Sequence, residues 1–207
     1  MTEEEWLACT EPRLMLRLGK ATERKLRLFA CACCRRIWQI MAYDEEREAV
    51  EVLERYLDGL LDDFDLRHAY DVLDGSGDAR AGPAYYALHR YDFTECAEAA
   101  AFAVFEHSLF VNHEEATAQA AEAAERQQQA ILLRHLVGNP FHPCRASDSW
   151  PAIVLQLADA LYNGEDCGLA LHDALVEAGQ PDLADHFRQE QTHPKGCWVV
   201  DLVLGKS

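Results

Sequence analysis

The segment 21–42 constrains the fold more than any other part of this chain. Leu26, Phe29, Ala30, Cys33, Ile37 and Ile40 recur at spacings of three and four, which predicts a helix. Leu28, Cys34, Trp38 and Met41 widen its apolar surface well beyond one stripe. A helix apolar over so much of its circumference has to be surrounded by other elements. Thr22 is placed to cap it, with Glu23 in the first turn. The expectation is therefore an all-α multi-helix bundle built around this central helix, with no significant sheet.

The rest of the chain supplies helices to surround it. Thr2 with Glu5 reads as a capping box for a short first helix, and Glu11-Pro12 opens a second that ends near Gly19. Asp44 is expected to cap a helix over 45–61, with Val50, Leu53, Leu57, Leu60 and Leu61 inward, and 65–73 is a further amphipathic piece. Two long helices follow at 94–111 and 113–137. The seam of Ala116, Ala120 and Ala123 predicts that they pack tightly as an antiparallel pair. The tail reads as helices at 150–162, 168–178 and 181–189. The run Cys197-Trp198-Val199-Val200-Asp201-Leu202-Val203-Leu204 fits helix or strand, and helix is preferred because no second strand is available to pair with it. Such a run cannot stay exposed, and its expected resting place is the central helix near Phe29, Cys33 and Ile37. The expected organisation is one helical domain over 1–207, with a Gly-rich loop at 74–83 and a break at 138–149 ahead of a C-terminal subregion, 150–207.

Charge narrows the functional classes. The net charge is −17, and it is unevenly spread: the first 42 residues carry eight Lys/Arg against five Asp/Glu, the remainder eleven against thirty-one. A chain so acidic repels phosphate backbones, so direct nucleic-acid binding is not expected. No apolar stretch is long enough to cross a bilayer. The start Met1-Thr2-Glu3-Glu4-Glu5 is acidic where a secretory signal is basic and then apolar, which predicts a cytoplasmic protein. In that reducing compartment the eight scattered cysteines are expected to be thiols.

Two clusters carry ligand chemistry. In Cys31-Ala32-Cys33-Cys34, positions i and i+2 of a helix point about 200° apart, so only Cys31 and Cys34 share a face and could offer two thiolates to zinc. Buried cysteine also fills cores like a slightly large alanine, and that is the simpler reading. His186, His193 and Cys197 form a mixed nitrogen and sulfur constellation that His142 and Cys144 could join if the chain folds back. The spacing matches no regular zinc pattern, and hydrogen bonding around a Pro194-Lys195-Gly196 turn would equally account for the histidines. A carboxylate-bridged di-metal bundle from Glu95, Glu98, Glu106, His107, His113, Glu114 and Glu115 is disfavoured, because the paired Glu-x-x-His pattern is missing from the long helices and occurs once, from Glu190 to His193. The sequence has no Gly-x-Ser-x-Gly elbow and no phosphate-binding glycine loop. Arg24, Lys25, Arg27, Arg35 and Arg36 are expected to pair with the acidic body.

At both ends the residues become distinctive. Met1-Thr2-Glu3-Glu4-Glu5-Trp6-Leu7-Ala8-Cys9-Thr10, followed by Arg24-Lys25-Leu26-Arg27-Leu28-Phe29-Ala30-Cys31-Ala32-Cys33-Cys34-Arg35-Arg36-Ile37-Trp38, is matched at the other end by Gly138-Asn139-Pro140-Phe141, Leu157-Ala158, Leu161-Tyr162, Asp173-Ala174-Leu175, His186, His193 and Gly196-Cys197-Trp198-Val199-Val200-Asp201-Leu202. Together these resemble a family of uncharacterised proteins expanded in planctomycete bacteria. The resemblance implies a helical intracellular protein and carries over no catalytic residue. Where that family reads Asn-Pro-Phe-Arg-Pro and then an apolar residue, this chain has His142 and Cys144.

The expected function is a non-enzymatic all-α accessory or protein-interaction module with an unidentified protein partner and no cofactor. The alternatives are a metal- or thiol-dependent protein using Cys31, Cys34, His186, His193 and Cys197 toward zinc, and an acidic mimic that blocks a basic, nucleic-acid-binding partner.

Overall fold

The computed structural model describes residues 1–76, 82–89, 93–147, 149–188 and 193–206. Among these the secondary structure is helical, with no strand. In chain order the helices are α1 (Glu3–Ala8), α2 (Pro12–Leu16), α3 (Glu23–Arg36), α4 (Asp44–Leu57), α5 (Asp63–Gly75), α6 (Pro83–Leu88), α7 (Phe93–Asn112), α8 (Glu115–Val137), α9 (Ala152–Tyr162), α10 (Gly168–Glu177), α11 (Pro181–Ala184) and α12 (Trp198–Leu204), with a 3-10 turn at Asp185–Phe187 after α11. The chain divides into two compact units, Met1–Leu133 and Arg134–Ser207, the division falling inside α8.

In the N-terminal unit α3 is the central helix, packed by α4, α6 and α7. Every residue from Arg27 to Cys34 is buried. Thr22 accepts a hydrogen bond from the Lys25 amide and fixes its start. Its end comes earlier than the periodicity suggests. The expected helix 21–42 stops at Arg36, and a turn follows in which Ile40 donates to the Ile37 carbonyl. The cause is Arg47, whose guanidinium takes the carbonyls of Trp38 and Met41 at 3.2 and 2.5 Å and so turns the chain toward α4. Three basic residues of α3 pair with acidic neighbours: Arg27 with Glu23, Arg35 in two places with Glu54, and Arg36 likewise with buried Glu125.

Three local expectations are corrected. Asp44 is the first residue of α4 and not its cap, and the helix ends at Leu57 because Gly59, at φ +73°, turns the chain. Leu60 is left exposed. The alanine seam of α8 does not form either: Ala116, Ala120 and Ala123 are exposed. The buried line of that helix runs through Ala118, Glu125, Gln129 and Leu133, fixed by the Arg36 pair and by the Gln129 amide donating to the Ala97 carbonyl at 3.0 Å. Polar anchors, together with buried Ala118 and Ala130 rather than the expected seam, set the face of α8. The third correction is in the tail, where the expected helix 181–189 breaks into α11 and the 3-10 turn, with residue 189 outside the described part. The predicted loop 74–83 is described only at its edges, as the end of α5 and the start of α6.

The C-terminal unit has its own core: Val154, Ala158 and Leu161 from α9, Leu171 and Leu175 from α10, Leu183 and Phe187 around the 3-10 turn, and Val199, Val200 and Val203 from α12. The apolar run at 197–204 is a helix, and it spends its buried face on α9 within its own unit, where the sequence reading had assigned it to α3. The pattern of valines at 199, 200 and 203 is one helical face, and α9 offers the matching stripe. No described helix is long and apolar enough to cross a membrane.

Candidate metal centre

Three short segments of the C-terminal unit converge on one spot. The first is the last turn of α8, which carries His135 and is stopped by Gly138. That glycine sits at φ +72°, and a Cβ there would lie 3.0 Å from the Trp198 ring. Only glycine permits both the left-handed turn and this close approach, so the helix end is laid against the start of α12. The second segment is the 3-10 turn, which presents His186 beside the buried Phe187. The third is the stretch 193–197, which carries His193 and Cys197 and turns where the Cys197 amide donates to the Pro194 carbonyl.

His135, His186 and His193 each place a ring nitrogen so that all three lie within 4.8 Å of one another. The ring centroids are 5.0 Å apart for His135 and His186, 5.1 Å for His186 and His193, and 5.5 Å for His135 and His193. The buried thiol of Cys197 lies 3.1 Å from His186 Nε2. His193 is the unusual member: both of its ring nitrogens are buried, and neither has a hydrogen-bond partner. A neutral imidazole has one N–H to donate and one lone pair to satisfy, and leaving both bare costs on the order of 1–3 kcal/mol per group.

Electrostatics keep His186 and His193 uncharged. Burial, reinforced by His135 and His193, lowers His186 to about 3. Burial and the neighbouring His135 lower His193 to about 4. Neutral imidazoles with open lone pairs are the form that coordinates a metal.

The other sequence-nominated residues lie elsewhere. Cys31 and Cys34 are fully buried in α3. The Cys34 sulfur sits 4.0 Å from Cys96 on α7, whose thiol also approaches the Ala30 carbonyl. Burial pushes the Cys31 thiol well up, and the Cys96 contact followed by burial does the same to Cys34. His142 and Cys144 are exposed on the segment after α8 and do not join the three histidines. Glu190, the partner of His193 in the lone Glu-x-x-His, lies outside the described residues. His135 was missed by sequence reasoning, since it lies inside a long amphipathic helix. The available signal was its position three residues ahead of the Gly138-Asn139-Pro140 stop. No family model, curated protein or solved structure matches the chain.

Proposed function

We propose that the protein is a non-enzymatic, intracellular all-α module whose C-terminal unit binds a transition-metal ion, zinc foremost, through His135, His186 and His193. The observation that carries this reading is His193, an imidazole with two buried and unpartnered nitrogens set beside two others. An ion would take up the bare lone pair, and imidazole nitrogen suits zinc among the common divalent metals. The planctomycete-family resemblance of the two ends fits the same reading, since it implies a helical protein and brings no catalytic residue.

A protein partner belongs to the proposal on a separate observation. Phe102, Phe110 and Val111 are exposed on α7. Phe102 and Phe110 border a groove of about 450 Å³ in the N-terminal unit, lined also by Ile37 and Met41. Contiguous exposed apolar side chains of this kind mark interaction surfaces, and the charge of −17 makes nucleic acid a poor occupant.

Elemental analysis of protein purified without an affinity tag and dialysed against zinc tests the metal reading. Stoichiometric zinc retained by the parent chain and lost from His193→Ala supports it. A parent chain that retains no metal ends it.

A further inference from the structure

We infer that Cys197 supplies a fourth ligand, so that the centre is a closed site of three imidazoles and one thiolate, a structural zinc that ties the C-terminal unit together. The inference rests on the metal reading above and goes beyond it by fixing the coordination sphere and hence the class of zinc site.

The geometry that assigns it is local. Zinc holds imidazole nitrogen at about 2.0–2.1 Å and thiolate sulfur at about 2.3 Å, so ligand atoms of a tetrahedral site stand roughly 3.3–3.6 Å apart. The Cys197 sulfur is already 3.1 Å from His186 Nε2, close to that edge length. The three imidazole nitrogens lie within 4.8 Å of one another, a grouping that does not take in the Cys197 sulfur, so closing the site draws the nitrogens inward and carries the sulfur with His186 toward His135 and His193. Cys197 is buried and is the N-cap of α12, whose amide at Asp201 bonds back to the Cys197 carbonyl at 2.9 Å, so the backbone under the sulfur is held. When the ion binds, the thiol proton leaves to solvent as the sulfur–zinc bond forms, and no oxidation occurs.

The consequence concerns chemistry. A catalytic zinc keeps one position for water, whereas four protein ligands leave none. What such a site contributes instead is cross-linking: it joins the end of α8 to the 3-10 turn and the start of α12, which follow it in sequence by about fifty residues, and clips that close long loops have the most unfolded-state entropy to remove.

Cobalt(II) substitution in the full-length chain tests this directly. The expected result is a tetrahedral visible spectrum together with a near-ultraviolet sulfur-to-cobalt charge-transfer band, lost in Cys197→Ser and kept in Cys144→Ser. Because Cys197→Ser could fail to fold, zinc K-edge absorption fine structure on the parent protein gives the second reading, and one sulfur with three nitrogen scatterers is expected. Cobalt or zinc bound with nitrogen and oxygen ligands only would overturn the role of Cys197 while leaving the metal reading intact. No bound metal at all would overturn both.

Discussion

Sulfur and imidazole are concentrated in two places, and the molecule uses them in opposite ways. In the N-terminal unit, Cys31, Cys33 and Cys34 lie on one helix, and Cys34 meets Cys96 from α7. Consecutive positions on a helix point in different directions, so these thiols are dispersed into separate packing niches. Burial raises the pKa values of Cys31 and Cys33, and the Cys96 contact followed by burial raises that of Cys34, which favours the protonated thiols. In the C-terminal unit, His135, His186, His193 and Cys197 come from a helix end, a 3-10 turn and a loop. Each of these can aim its side chain independently, and the three imidazoles converge with the Cys197 sulfur set against His186. Density of ligand-type residues in sequence is a poor guide to a site. Arrival from several segments, with polar atoms left bare, is a better one.

The largest expected effect separates the two units. Deleting residues 196–207 removes Val199, Val200 and Val203, each buried and worth roughly 1.5–3 kcal/mol. Together they rival the net stability of a typical domain. The C-terminal unit should lose its cooperative melting and near-ultraviolet dichroism while the helices of the N-terminal unit remain. A truncated chain with an unchanged melt would show that α12 is not part of that core.

Next in size is the response to zinc. A ligand at a thousandfold excess over its dissociation constant raises stability by about 4 kcal/mol. Calorimetry should therefore show a clear rise in Tm of the parent chain over the chelated form, absent in His193→Ala. An equal rise in that variant would move the ion away from the cluster.

Acid should sharpen the same contrast in the chelated protein. His186 and His193 titrate at about 3 and about 4 in the fold, below the ordinary value of about 6.5 that they regain on unfolding. The unfolded chain then binds protons first as the pH falls. The contribution of these groups is complete above about pH 6.5 and is lost as the pH drops toward their folded values. Urea midpoints of the C-terminal unit measured from pH 7.5 to 4.5 should decline, and less steeply when His186 is replaced by Gln. A flat profile would argue against two buried neutral imidazoles.

The smallest effect belongs to the other cluster. Cys34→Ala removes a buried sulfur that lies against the Cys96 sulfur. It should cost roughly 1–2 kcal/mol by denaturant unfolding. Zinc content should stay the same, and a lower content would return α3 to consideration as a metal site.

Much of this was legible in advance, and the exceptions have identifiable causes. The all-α fold, the burial of α3, the capping of α1 and α3 and the helical state of 198–204 follow from periodicity and cap residues, which act locally. The end of α3 was not legible because it depends on Arg47, a side chain eleven residues beyond Arg36. The face of α8 was not legible because Glu125 and Gln129 answer to Arg36 and Ala97, which lie far away in sequence. Within the site, His186, His193 and Cys197 could be grouped because they are neighbours in sequence. His135 could not, since its place depends on how the Gly138 turn meets Trp198. His142 and Cys144 looked suitable by position, but they are on the surface.

The central claim is that three particular imidazoles out of nine hold the ion. Long-range proton–nitrogen correlation spectra of protein labelled at the histidine ring nitrogens, recorded before and after one equivalent of zinc, test it most directly. The account predicts that one nitrogen in each of His135, His186 and His193 shifts to the metal-bound range while His68, His89, His107, His113, His142 and His172 stay in place. Shifts confined to those six, with the three clustered rings unmoved, would contradict it.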